Sequence, residues 1–60
     1  MEKKEMLKRV IDDYKAHRHM AREIQIHYTN GTKSGIGNAA VIQKVFDVLI
    51  EEAEKQYSEL

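Results

Sequence analysis

The stretch YTNGTKSGIGN, residues 28–38, divides the chain into two halves. All three glycines of the 60-residue protein lie inside it, and the chain contains no proline. On both sides of it, apolar residues recur at spacings of three and four, which is typical of amphipathic α-helices. Asn30 and Gly31 tolerate a left-handed backbone and can end a helix, and Asn38 is a good N-cap. The sequence therefore predicts an all-α helical hairpin in one domain, with a helix at about 2–28, a glycine-rich loop at 29–37 and a helix at about 38–59.

The first predicted helix carries one apolar seam. Its positions alternate between spacings of three and four: Leu7, Val10, Tyr14, His17, Ala21, Ile24 and Tyr28. Met6, Ile11 and Met20 widen this heptad pattern to the broad stripe of a bundle helix. We therefore expect this seam to face the second helix.

All three histidines of the chain lie in the first predicted helix. His17 stands where leucine would be ordinary, and we expect it at the edge of the core, hydrogen-bonded to a carboxylate or tyrosine. A pH-sensitive or metal-binding role is the alternative, because histidine titrates near neutrality. His19, Glu23 and His27 follow at intervals of four, but zinc requires three or four converging ligands. We predict no metal site.

The second predicted helix is apolar on two sides. Its seam contains Ala39, Ile42, Phe46, Leu49 and Ala53, while other apolar residues lie off that seam. One neighbouring helix cannot cover both sides, and a 60-residue chain needs the apolar burial. We therefore predict a homodimeric antiparallel four-helix bundle. The residues expected at the dimer interface or against another protein are Ile42, Val45, Phe46, Leu49, Ile50, Tyr14 and His17.

The loop has the ingredients of an anion site. Lys33 supplies a positive charge, Ser34 a hydroxyl group, and Gly35 a backbone amide that an anion can approach closely. Asn38 would follow at the start of a helix whose first two turns carry no acid. The spacing is not that of a phosphate-binding P-loop, and no strand precedes it. A plain connector is therefore favoured, with phosphate or nucleotide binding at Lys33, Ser34, Gly35 and Asn38 as an alternative.

Composition limits the partners. Ten basic residues balance ten acidic ones, so no overall field attracts nucleic acid or membranes. The first 28 residues carry seven Lys and Arg against five Asp and Glu, and the remainder three against five. A basic stripe formed by Lys8, Lys15 and Arg22 leaves nucleic-acid binding as a further alternative, although acids interrupt it. Cysteine is absent, which excludes disulfides and thiolate metal sites.

These features predict a binding protein rather than an enzyme. The candidate acid–base residues are scattered, and no cofactor motif is present, so we expect neither catalysis nor a cofactor. No apolar run approaches the ~20 residues needed to cross a bilayer, and the amino end shows no secretory leader. We expect a small cytoplasmic regulator or inhibitor, of the kind encoded by bacteria and phages, that binds itself and another protein through apolar helix faces.

Overall fold

The structure is a computed structural model that describes residues 2–60. In that part of the chain, α1 (Lys3–Tyr28) and α2 (Lys33–Ser58) pack side by side as a hairpin. Lys4 lies over the ring of Tyr57 near the chain termini, and Gly35 lies against Thr29 near the turn, so the helices are antiparallel. The extents are 42 × 17 × 8 Å. The predicted all-α hairpin is confirmed, and it is a flat slab with two broad faces.

The connection between the helices is a tight turn at residues 29–32. Asn30 and Gly31 have positive φ angles of 55° and 69°. The left-handed backbone lets the amide of Gly31 donate to the carbonyl of Ile26 at 2.9 Å, which ends α1. Gly31 is favoured there because a side chain would strain this conformation. The sequence correctly predicted the end of α1.

The start of α2 differs from the prediction. The N-cap is Thr32, whose Oγ1 accepts a hydrogen bond from the amide of Gly35 at 3.2 Å. The predicted glycine-rich loop at 29–37 is therefore five residues too long, because the helix begins at Lys33 rather than Asn38. Asn38 lies in the second turn and is not the cap. Gly35 and Gly37, which the sequence predicts to lie in the loop, belong to the helix.

Position 35 of α2 is a glycine because the two helices approach each other closely beside the turn. It is buried, and a Cβ atom at this position would overlap Oγ1 and Cβ of Thr29. Thr29 is itself held in place, since its Oγ1 donates to the carbonyl of Gln25 at 2.8 Å. The absence of a side chain at Gly35 therefore sets how near α2 comes to the end of α1.

The core between the helices is small. Its buried apolar residues are Ile11, Ala39, Ile50 and Ala53. Among residues 2–60, no large side chain is fully buried. The predicted seam of α1 is partly wrong: Ile11 packs inward, while Val10 and Ile24 are 38% and 56% exposed. Two overlapping apolar stripes run along α1, and α2 covers the one that contains Ile11.

The cap assignment can be tested by comparing Thr32→Ala with Asn38→Ala. Loss of the Thr32 hydroxyl leaves the Gly35 amide without its acceptor and should lower the free energy of unfolding by about 1 kcal/mol. Asn38→Ala should be neutral or slightly stabilising, because alanine is the better helix former inside α2. Thermal unfolding followed by circular dichroism at one fixed protein concentration measures both. A larger loss from Asn38→Ala would contradict a helix start at Lys33.

Candidate functional site

The dominant surface feature is a set of large apolar side chains that the hairpin leaves exposed. On α2, Val41, Val45 and Val48 are 62%, 56% and 66% exposed. Leu49 lies beside them. On α1 the corresponding residues have the spacing of a second stripe, offset from Ile11: Met6, Val10, Met20, Ile24 and Tyr28. We call these residues, together with His17, the apolar face.

Both stripes lie on the same broad side of the slab. Residues spaced by three, four or seven share one face of a helix, so each stripe is continuous along its own helix. The two are joined across the hairpin, because Val10 of α1 and Leu49 of α2 line one shallow groove together with Tyr14 and Ala53. The hairpin therefore presents a single apolar surface built from both helices.

The opposite side of the slab is charged. Nε of Arg18 lies 2.6 Å from Oδ1 of Asp47, and a second guanidinium nitrogen lies 3.3 Å from Oδ2. Nζ of Lys15 lies 3.6 Å from a carboxylate oxygen of Glu54. These cross-helix pairs fit the opposite charge balance of the two halves of the chain. They are at least one-third exposed, so their main effect is to favour the pairing of these two helices rather than to add much stability.

Ion pairs also occupy much of the basic stripe. Lys15 is used by Glu54, and Arg22 lies 3.0 Å from the carboxylate of Glu23. Of the three residues in the stripe, only Lys8 makes no ion pair with the described part of the chain. A phosphate backbone would have to compete with these carboxylates, which weakens the case for a nucleic-acid interface.

The predicted interface residues separate into two groups. Ile50 is buried in the hairpin core, and the half-buried rings of Tyr14 and Phe46 pack edge to face with centroids 6.3 Å apart. Ile42 is also half-buried. These side chains help to join α1 to α2. The members of the predicted set that lie on the apolar face are Val45, Leu49 and His17.

Sequence reasoning missed several residues of this surface. Met6, Met20, Val41 and Val48 are absent from the set predicted at the interface. Their spacing is a usable signal, because Val41, Val45 and Val48 form an i, i+4, i+7 row on one side of α2. What the pattern alone lacks is the rotation of each helix about its axis, which decides which row the partner helix covers.

The prediction that His17 lies at the edge of the core is wrong. It was expected at the edge of the core with a hydrogen-bonding partner, but it is exposed on α1, seven residues from both Val10 and Ile24. No hydrogen bond to its side chain is present within residues 2–60. The helix rotation that brings Ile11 inward carries His17 outward. Among those same residues, no three histidine or carboxylate side chains converge as metal ligands.

The candidate anion residues lie at the start of α2. Lys33 and Ser34 are exposed in its first turn, which contains no acid, and Asn38 is exposed one turn later. Thr32 already accepts hydrogen bonds from two of the first amides: its Oγ1 from Gly35, and its carbonyl from Ile36 at 2.9 Å. Gly35 is buried against Thr29 and does not open toward solvent. Two of the amides near the predicted anion site, those of Gly35 and Ile36, therefore already have acceptors within the protein.

Comparisons add no relative to these observations: no protein-family model matches the chain, and no curated protein or solved structure is significantly similar to it. Neither α1 nor α2 combines the length and apolarity needed to cross a membrane. The geometry thus defines a class, a two-helix hairpin with one apolar and one charged broad face.

Proposed function

We propose that this protein is a cytoplasmic, non-enzymatic regulator that binds another protein through the apolar face, and that it forms a homodimeric antiparallel four-helix bundle when that partner is absent. The main support for this proposal is that the row formed by Val41, Val45 and Val48 is exposed beside the apolar stripe of α1. Contiguous apolar surface of this kind marks an interaction site in a small protein. A second copy and the target compete for the same surface.

The size of the apolar face supports this proposal. The broad side of the slab measures 42 × 17 Å, or about 700 Å² in projection. A standard protein interface buries about 800 Å² on each partner. One helical hairpin of similar dimensions would therefore cover the face completely, and a much smaller partner would leave part of it exposed.

The small core supports it as well. A lone chain of this length buries only about 60% of the surface that its unfolded form exposes, so most such domains need a supplement. Here the buried apolar residues within the hairpin include two alanines, Ala39 and Ala53, which contribute little side-chain area. Covering the apolar face supplies the burial that one hairpin lacks.

The experiment compares three immobilised forms of the protein: the natural chain, Val45→Glu and Ala40→Glu. Ala40 is exposed on α2 away from the apolar row and serves as the matched control for the added charge. Partners from the native cell are quantified by mass spectrometry on all three. A partner retained by the natural chain and Ala40→Glu should be lost, by at least about tenfold, from Val45→Glu.

Recombinant partner should then reproduce the same order of affinity with purified components. Equal retention of every protein by all three forms would show that the apolar face is not the binding surface. A partner that instead prefers Val45→Glu would contradict the proposed chemistry of recognition. Light scattering of the natural chain alone tests the dimer, with twice the protomer mass of 7.0 kDa expected at micromolar concentration.

A further inference from the structure

The apolar face has a pattern along its length that bears on how a second copy would lie on it. With Leu49 counted as its last member, the row on α2 runs from Val41 through Val45 to Leu49, and α2 itself runs from Lys33 to Ser58. Val45 thus stands at the middle of both the row and the helix. If two such rows meet antiparallel, Val45 meets the same residue of the other copy, and Val41 meets Leu49. The row is nearly palindromic, which suits a two-fold axis.

Two acidic residues lie on this face, both in the half nearer the chain termini. Glu52 lines the groove beside Val10 and Leu49, toward the chain termini. Asp13 lies three residues after Val10 and four before His17, so helical spacing puts it at the edge of the same stripe. Both acids therefore lie in the half of the apolar face nearer the chain termini, and the first turn of α2, at the other end of the hairpin, contains no acid.

Two face-to-face arrangements with two-fold symmetry are possible for flat hairpins. In the first, both turns lie at the same end, and α1 of each copy packs on α2 of the other. Asp13 would then face Glu52 across the interface, twice in each dimer, and like charges facing each other are unfavourable. In the second, the turn of each copy lies over the termini of the other, and each helix packs antiparallel on its own counterpart. The acids are then separated.

We infer that a second copy of this chain covers the apolar face in the second arrangement, with turns at opposite ends and Val45 at the two-fold axis. This inference rests on the proposed dimer and specifies its geometry. The occupant is a second copy because a face of 42 × 17 Å is close to the area that a stable interface buries on each partner, and because this direction places the apolar row on itself while keeping Asp13 away from Glu52. Val10 then lies well away from its counterpart.

Single cysteines test the arrangement directly, since the chain contains none of its own. A disulfide requires Cβ atoms about 4 Å apart. Val45→Cys should form a covalent dimer under mild oxidation at least about tenfold faster than Ala40→Cys, which reports random collisions from the opposite side. Val10→Cys should react no faster than Ala40→Cys. Each variant is first confirmed as a dimer by light scattering before oxidation.

The outcomes separate this inference from the proposed dimer. Rapid cross-linking of Val10→Cys with slow cross-linking of Val45→Cys would establish turns at the same end and overturn the inference while keeping the dimer. Equal rates for all three variants, in protein that scatters light as a dimer, would also overturn it. A natural chain that remains a helical monomer at high micromolar concentration would instead remove the dimer itself.

Discussion

Val45→Glu is expected to raise the dissociation constant of the dimer at least about 100-fold. The side chain is 56% exposed in the single hairpin, so the change breaks little within it. In the dimer, two valines lose burial worth about 1.5 kcal/mol or more each, and tenfold in affinity corresponds to 1.4 kcal/mol. Glutamate is also a better helix former than valine, so helix propensity alone predicts a slight gain in stability.

Sedimentation velocity and thermal unfolding over a concentration series measure this effect. The natural chain should unfold at a temperature that rises with concentration, as linkage between folding and assembly requires. Val45→Glu should unfold earlier and become monomeric, whereas Ala40→Glu should behave as the natural chain does. Identical mass and unfolding temperature for both variants would show that the apolar face takes no part in self-association.

Phe46→Asp provides a useful contrast with Val45→Glu. Phe46 packs on Tyr14 across the hairpin, so aspartate there removes a contact that joins α1 to α2 as well as any contact with another copy. We expect loss of helix at every concentration for Phe46→Asp. For Val45→Glu, raising the protein concentration should recover part of the helix and part of the dimer.

Gly35→Ala and Gly37→Ala should change stability in opposite directions. An added Cβ at Gly35 overlaps the side chain of Thr29, with Cγ2 only 2.9 Å away, whereas nothing lies within 4 Å of one added at Gly37. Overpacking typically costs about 1–3 kcal/mol, and replacing a helical glycine by alanine returns about 1 kcal/mol. Gly35→Ala should therefore be destabilising, by up to about 2 kcal/mol net, and Gly37→Ala stabilising by about 0.5–1 kcal/mol.

Denaturant unfolding at fixed concentration measures both changes, and a double-mutant cycle identifies the cause. Thr29→Gly removes the Cβ that the new alanine would meet, so Gly35→Ala should cost less in that background. Thr29→Ala should give less relief because its Cβ remains. If both alanines stabilise the protein equally, the helices do not approach at Gly35 as the structure has it.

Much of the fold could be predicted from the sequence because it depends on local chemistry. The two amphipathic patterns predicted the helices, and Asn30-Gly31 marked the end of α1 through its tolerance of positive φ. The start of α2 could not be predicted in the same way. Gly35 disfavours a helix locally, and only the nearby Thr29 explains why an exceptionally small residue is placed within one.

The candidate site also divides into features that the sequence predicts and features that tertiary contacts decide. By itself, the sequence determined that this protein has more apolar helix surface than one hairpin can bury, and that its two halves carry opposite charge. Which residues form the apolar face was decided by the tertiary structure. Packing at Ile11 and Gly35 sets the rotation of each helix, and a rotation of about one residue moves His17 from the core to the surface. The spacing of apolar residues shows that each helix has apolar stripes, but contacts between the two helices decide which stripe is covered.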